Sequence, residues 1–150
     1  MGNKGGISVK ISTKGRYALR VMIDLAEHNT GEYIPLADIA RRQEISEKYL
    51  ESIVAVLSRK KFLNALRGKG GGYKLARAPG EYTVGSVLKL TEGELAPVAC
   101  LEKDADPCPR AGYCKTLGMW TRFYEMIDQF FEGITLEDLV RQEGGGSYSI

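Results

Sequence analysis

The 150-residue chain is poor in the groups on which most catalysis depends: it has one histidine, His28. A single imidazole leaves no set of the Ser/His/Asp or Cys/His kind, so nucleophilic catalysis lacks its base and no enzymatic role is expected. There is no apolar run of the roughly 18 to 20 residues a membrane span needs, and no apolar stretch after Met1 of the secretory type. Neither a membrane partner nor export is therefore expected, and a cytoplasmic location follows by default. A Gly-Lys-Ser/Thr phosphate loop is missing. The glycine-rich run at 68–72 fails the dinucleotide fingerprint because its third glycine position holds Tyr73. It also lies between two candidate strands, not between strand and helix. Cysteine is scarce: Cys100, Cys108 and Cys114 are the only three. An odd number grouped in one short stretch argues against a disulfide framework and toward metal or redox chemistry.

What is present is ordinary globular composition, 43% hydrophobic and 27% charged, with an uneven distribution of charge. Residues 1–80 hold 15 Lys and Arg against 7 Asp and Glu; residues 81–150 hold 6 against 12. The formal net charge of +2 conceals this division. A basic half is the electrostatic footprint expected for nucleic acid, although an unevenly charged solvated surface gives the same count.

The pattern of apolar residues predicts a mostly α protein with a small β-hairpin. Residues 1–8 read as a disordered leader or cloning scar. Ser12 or Thr13 caps a first helix to about Glu27, with Tyr17, Ala18, Val21, Met22 and Leu25 on one face. Pro35 opens a short helix, Leu36 to Arg42. Gln43-Glu44-Ile45 is a tight turn, and Ser46 caps a longer helix whose stripe is Leu50, Ile53, Val54 and Leu57. Short helix, turn and longer helix make a helix-turn-helix. Two short strands follow, Leu63 to Arg67 and Tyr73 to Ala76, around a glycine-rich tip, and a basic hairpin placed there is a wing. Thr83 caps another helix to about Leu90. Residues 91–114 form an irregular, proline-broken cysteine loop. A long helix is predicted over Tyr113 to Glu132, ended by Gly133, with a last short helix capped at Thr135. The resulting division is a winged helix-turn-helix domain over 9–90, a sensor loop over 91–114, a dimerisation helix plus C-terminal helix over 115–141, and a flexible tail over 142–150.

The long helix carries Trp120, Phe123, Tyr124, Ile127, Phe130 and Phe131. So much aromatic surface exceeds what a compact winged domain covers, and packing against the same helix of a second copy is the simplest solution. An ordinary core helix within one chain is the competing reading. A homodimer also supplies the two reading heads that most helix-turn-helix proteins apply to a palindromic operator in double-stranded DNA. In that architecture the second helix enters the major groove by its N-terminal end, which here offers Ser46, Glu47, Lys48, Tyr49, Glu51 and Ser52. Lys48 suits guanine acceptors, and Glu51 suits a cytosine amino group and acts as a discriminator. On the wing, Arg67 is the candidate for a narrow minor groove and Lys69 for phosphate, with Gly70 and Gly71 allowing close backbone approach. Lys14, Arg16, Arg59, Lys60 and Lys61 are candidate backbone contacts that position without specifying. A protein-interaction adaptor on the same fold stays open, since fold does not fix function.

Four segments, Lys10 to Arg20, Ile45 to Glu51, Leu66 to Tyr73 and Ile134 to Leu139, resemble in order the bacterial winged-helix regulators of the iron–sulfur (IscR), nitric-oxide (NsrR) and cysteine-metabolism (CymR) type. The resemblance spans about residues 9–140. It implies a homodimer, a long dimerisation helix, DNA contacts from the helix after Ser46 and from Arg67, and a transcription-regulating role. It also implies an iron–sulfur cluster, of the 2Fe-2S type, on Cys100, Cys108 and Cys114, because thiolates are the ligands such clusters take. Two departures stand out. The first cysteine spacing is a little longer than in the cluster regulator. The fourth ligand is missing too: the position of a histidine in that regulator holds Leu117, and that of an aspartate in the nitric-oxide sensor holds Arg16. Glu102, Asp104, Asp106, a partner-chain carboxylate or a small molecule remain as candidates. Zinc on three thiolates and a thiol redox switch stay open, as does the cluster-free cysteine-metabolism type, which is controlled by a partner protein or metabolite.

Overall fold

The computed structural model describes residues 10–142. The expected leader over 1–8, and all of the expected tail except Gln142, lie outside the described residues. Six α-helices and one two-stranded sheet follow in the order α1 (Thr13–Glu27), α2 (Leu36–Gln43), α3 (Glu47–Arg59), β1 (Leu63–Leu66), β2 (Gly72–Leu75), α4 (Val84–Glu92), α5 (Leu117–Glu132) and α6 (Leu136–Val140). The fold is a winged helix-turn-helix with a long added helix, the mostly helical class read from the sequence.

The helix starts are set by side-chain caps. Ser12, Ser46, Thr83 and Thr135 each accept a backbone N–H from the first turn of the helix they precede. Each satisfies a donor that has no partner within the helix. Between α2 and α3 the chain turns at Glu44, which sits in the left-handed region at φ 56°. That residue closes α2, and Ile45 N–H donates back to the Ala40 carbonyl over 3.2 Å. The apolar faces of α1 and α3 then meet in the main core, where Ala18, Val21, Met22, Leu25, Leu50, Ile53, Val54 and Leu57 are all buried. Burial of each large aliphatic contributes about 1.5–3 kcal/mol, so these two helices hold each other without help from the surface.

β1 and β2 pair antiparallel from Leu63↔Leu75 to Leu66↔Gly72. The hairpin is joined to the helical core by Ile34, which exchanges both backbone hydrogen bonds with Tyr73, 2.8 and 2.9 Å. A side chain at Gly72 would meet the Ile34 carbonyl, and its φ of 153° also disfavours one. The close approach of the Ile34 backbone therefore requires glycine there. Each strand ends one residue earlier than the sequence suggests, and β2 also begins one earlier, at Gly72, which leaves Arg67 beyond the last pair and Ala76 held by Phe62 instead.

Two further boundaries differ. α4 runs on to Glu92. α5 begins at Leu117, not Tyr113, because residues 108–113 wind into successive turns closed by Ala111 N–H to Cys108 O and Tyr113 N–H to Arg110 O. α5 also divides its aromatics. Ile127 and Phe131 pack on a small second core of Val84, Leu88 and Leu95, whereas Phe123 and Phe130 face outward. Among the described residues no side chain of α5 is fully buried.

One charged side chain lies in the core. Asp24 is 1% exposed, and its carboxylate accepts two hydrogen bonds from Arg42, 2.7 and 3.0 Å, and one from Gln43, 2.9 Å. Burial opposes its ionisation, but the hydrogen bonds from Arg42 and Gln43 and the Arg42 charge overcome that, so its pKa lies below the ordinary carboxyl value. With a depressed folded-state pKa, its contribution to stability is complete above about pH 4 and is lost as the pH falls through the lowered value. Arg42→Ala, which leaves the buried carboxylate without its cation, is expected to destabilise the fold by about 3 kcal/mol in urea titration at pH 7. The loss should shrink as the pH is brought below about 4, and a loss that does not depend on pH would contradict this account.

Candidate nucleic-acid interface and cysteine loop

α3 is oriented from its N-terminal end. The Ser46 hydroxyl accepts from Tyr49 N–H over 3.1 Å, so its oxygen is committed to the cap. Glu47, Lys48, Glu51 and Ser52 are exposed on the first two turns, as is Tyr49 at 38%. The Tyr49 ring stands edge-on to Tyr17 at 5.6 Å, and the Arg20 guanidinium covers the other ring of the pair at 5.1 Å from the Tyr17 centroid. Arg20 in turn reaches the Gln43 side chain and carbonyl. A chain of contacts thus runs from the buried Asp24 through Gln43, Arg20 and Tyr17 to the exposed ring at the start of α3.

The wing presents Arg67, Lys69 and Gly70 exposed at its tip, in a turn closed by Gly71 N–H to Gly68 O at 2.9 Å. Gly70 has φ 76° and open space around it. At Gly71 the crowding comes from the chain itself, because a side chain would meet the carbonyls of Leu66 and Gly68. The glycines are therefore required first by the turn. The base of the wing depends on a buried side chain, Tyr82, which is 0% exposed. Its hydroxyl donates to the Phe62 carbonyl at 2.7 Å and accepts the N–H groups of Ala76 and Arg77, both at 3.0 Å. These three backbone groups mark the entry and exit of the hairpin, so one phenol closes it.

The structure separates the remaining candidates. Arg59 and Lys60 lie at the other end of α3, about 18 Å from its start for a helix of this length. There the positive charge also complements the helix dipole. Lys14 is half-buried on the first turn of α1, and Arg16 beside it donates to Thr13. The first turns of α3 and the wing tip are each exposed, and the two belong to elements of one core. The residues that sequence reasoning missed are Asp24 and Tyr82. The available signal was an acid at i+3 from Val21, inside an apolar stripe, and an aromatic beside the chain break at 78–80.

The three cysteines are spread along the loop before α5. Cys100 is exposed in a 3-10 turn at Ala99–Leu101, Cys108 starts the turns described above, and Cys114 lies two residues before the Thr116 cap position. Cys114 Sγ is 3.4 Å from Thr116 Oγ1. That hydroxyl and the backbone N–H groups of Thr116 and Leu117, with Arg110 nearby, hold the Cys114 thiol below its usual pKa. As donors, three thiols suit a cluster or zinc. As placed they do not fit one, since among the described residues no three His, Cys, Asp or Glu side chains come within reach of a common ion. His28 lies at the end of α1, its Nδ1 2.8 Å from the Asp24 carbonyl and away from the loop.

Residues 11–142 match the family model Rrf2, described as iron-dependent transcriptional regulator. The chain is 35% identical to the HTH-type transcriptional regulator IscR of Xenorhabdus nematophila over 90% of its length and 81% of that protein. It is 36% identical to the HTH-type transcriptional regulator CymR of Bacillus subtilis over 91% of its length and 94% of that protein. The solved structure of that CymR, titled the global cysteine regulator, superposes with a TM-score of 0.71 at 35% identity, covering 87% of this chain and 95% of that one. The structure of T. potens IscR gives 0.70 at 31% identity, covering 94% and 97%.

Tyr82→Phe keeps the ring in the core and removes only the hydroxyl. It is expected to cost about 2 kcal/mol, because the backbone groups at the wing base lose a shared partner. Amide exchange at Ala76 and Arg77 should accelerate more than in the α1–α3 core, and uniform acceleration would count against the assignment.

Proposed function

Because the chain belongs to the Rrf2 family of transcriptional regulators, we propose that it acts in the cytoplasm as a homodimer that reads a palindromic operator and responds through its cysteine loop. The observation that carries this reading is the pairing of two exposed surfaces on one chain. One is formed by the exposed cationic wing tip and the exposed first turns of α3. The other is the stripe of Met119, Phe123, Met126 and Phe130 along α5, exposed by 55, 36, 58 and 63%. That stripe recurs at i, i+4, i+7 and i+11, the spacing of a seam between two helices. Joined through it, two copies would present two reading helices to successive major grooves, with half-sites about one helical turn apart.

Within each head, Lys48, Tyr49 and Glu51 would meet base edges, Ser46 would hold the helix start, and Glu47 and Ser52 would flank it. Arg67 would enter the minor groove, with Lys69 and the Gly70–Gly71 backbone on phosphate. Lys14, Arg59 and Lys60 would touch the DNA backbone further out.

For the loop, we favour an iron–sulfur cluster, 2Fe-2S, held by Cys100, Cys108 and Cys114 with a fourth ligand still open. The family's description as iron-dependent and the thiol donor set support it. Because the thiols are dispersed here, loading would require the loop to refold. A cluster-free response through the thiols themselves, with a protein or metabolite partner, is supported by that same dispersion and by the likeness to a cysteine regulator.

Three outcomes are expected. Promoter palindromes bind with an affinity that falls steeply with salt, and a monomer without duplex affinity at low ionic strength would end the proposal. Arg67→Ala weakens binding about tenfold at sites with a narrow central minor groove and less elsewhere; an equal loss at all sites would remove the wing assignment. Anaerobic reconstitution yields a coloured protein containing iron and sulfide, whereas a colourless, iron-free product would leave the cluster-free reading.

A further inference from the structure

α5 is attached to the head by little apolar contact. Its Ile127 and Phe131 rest on the small core of Val84, Leu88 and Leu95. Beside them a pocket of about 210 Å³ opens between Ile11, Leu95, Ile127 and Phe131. Apolar contact is non-directional, and an underfilled junction does not fix an angle. Just past the end of α5 a backbone bridge, Val84 N–H to Ile134 O at 2.8 Å and Leu136 N–H to Tyr82 O at 3.0 Å, ties that end to the start of α4. The directional side-chain contacts along the helices themselves come from charges. Lys89 Nζ on α4 lies 2.5 Å from Asp128 Oδ1 and 3.0 Å from Glu132 Oε1, one turn apart on α5. The second oxygen of Glu132 accepts from Thr83 Oγ1, the α4 cap, at 2.9 Å. A side chain at Gly85 would meet the Glu132 carboxylate, so that acid lies directly over the first turn of α4. α5 is thus pinned to α4 at both ends of the contact.

We infer that Lys89 is a positioning residue for operator reading: its clasp on Asp128 and Glu132 sets the angle between α5 and the head, and with it the spacing of the two reading helices. The inference rests on the dimeric reading proposed above. α5 is 16 residues, about 24 Å. A rotation of about 10° at the clasp displaces its far end by about 4 Å, roughly the rise of one base pair. Half-site geometry does not tolerate such an error. The pairs are more than a third exposed on both sides, so they add little to stability and their main effect is on direction. Asp128 and Glu132 nonetheless keep the Lys89 ammonium charged above the ordinary lysine value, against the effect of its partial burial. Just past the end of α4, Glu94 accepts Lys103 N–H with both oxygens, 2.8 and 3.1 Å, which closes the first part of the cysteine loop on itself two residues beyond that helix.

The test compares the full-length chain with Lys89→Met and with the charge exchange Lys89→Glu plus Asp128→Lys plus Glu132→Gln. In the exchange, the amide at position 132 keeps the acceptor for Thr83 and removes the charge that would oppose the new carboxylate at position 89. Each is measured on a palindrome, on the same palindrome with one or two base pairs inserted between half-sites, and on a single half-site. Lys89→Met should keep its melting midpoint within about 4 °C. It should lose about tenfold in affinity at the optimal spacing and bind the single half-site as before. Its penalty for one inserted base pair should fall to less than about half of the original chain's on a logarithmic scale. The charge exchange should restore both affinity and spacing preference. An unchanged spacing profile in Lys89→Met, an equal loss on the half-site, or no restoration by the exchange would each overturn the inference. If the original chain itself shows no spacing preference, the dimeric reading fails instead.

Discussion

The geometry of the reading head depends on one buried carboxylate. Asp24 is presented by α1 into the core, where Arg42 and Gln43 meet it from the last turn of α2. A buried pair of this kind adds little net stability compared with a well-packed apolar substitute. It does fix where the α2–α3 turn must lie. Gln43 cannot hydrogen-bond Asp24 and receive Arg20 unless the chain reverses at Glu44, and that reversal sets the direction in which α3 leaves. The apolar faces of α1 and α3 would tolerate sliding, because oil-like contact has no preferred register. The carboxylate removes that freedom, and the Tyr17–Tyr49 contact passes the result to the exposed end of α3.

Tyr82 does for the wing what Asp24 does for the helices. A two-stranded hairpin is marginal alone, and this one has four pairs. It gains order from Ile34 on one side and from the Tyr82 hydroxyl at its base. Both anchors lie in the core, while the tip with Arg67 and Lys69 has no such support. The head is thus rigid where it must be aimed and adaptable where it would follow a groove whose width varies with sequence.

Much of this was legible in the sequence because it follows from periodicity and caps. The α3 stripe of Leu50, Ile53, Val54 and Leu57 is fully buried as its spacing demands, and Ser46 and Thr83 cap as their positions demand. The start of α5 was not legible. Tyr113-Cys-Lys-Thr116 holds no proline or glycine to delay a helix, and the turns that do so come from Cys108 and Arg110 carbonyls, which composition does not reveal. The division of the α5 aromatics into inward and outward sets was hidden as well. All of them suit an apolar face, and only the position of α4 decides which face that is. Nor do three cysteines in one loop establish a metal centre, because convergence is a property of the folded path and not of spacing.

The family shows both kinds of likeness, to a regulator named IscR and to one described as a cysteine regulator, at nearly equal identity. Such closeness is understandable if the head and the control loop are mechanically separable. The head has its own core, and α5 with α4 has another, smaller one. On the reading proposed above, chemistry in the loop would act through the junction between those two cores, because the loop leaves from the end of α4 and ends at α5. A junction with few buried atoms and an open pocket costs little to reorient, and small reorientations are magnified along a long helix. A sensing loop so placed would not need to touch the residues proposed to read DNA. It would need only to change the angle of α5, so different loop chemistries would serve the same head.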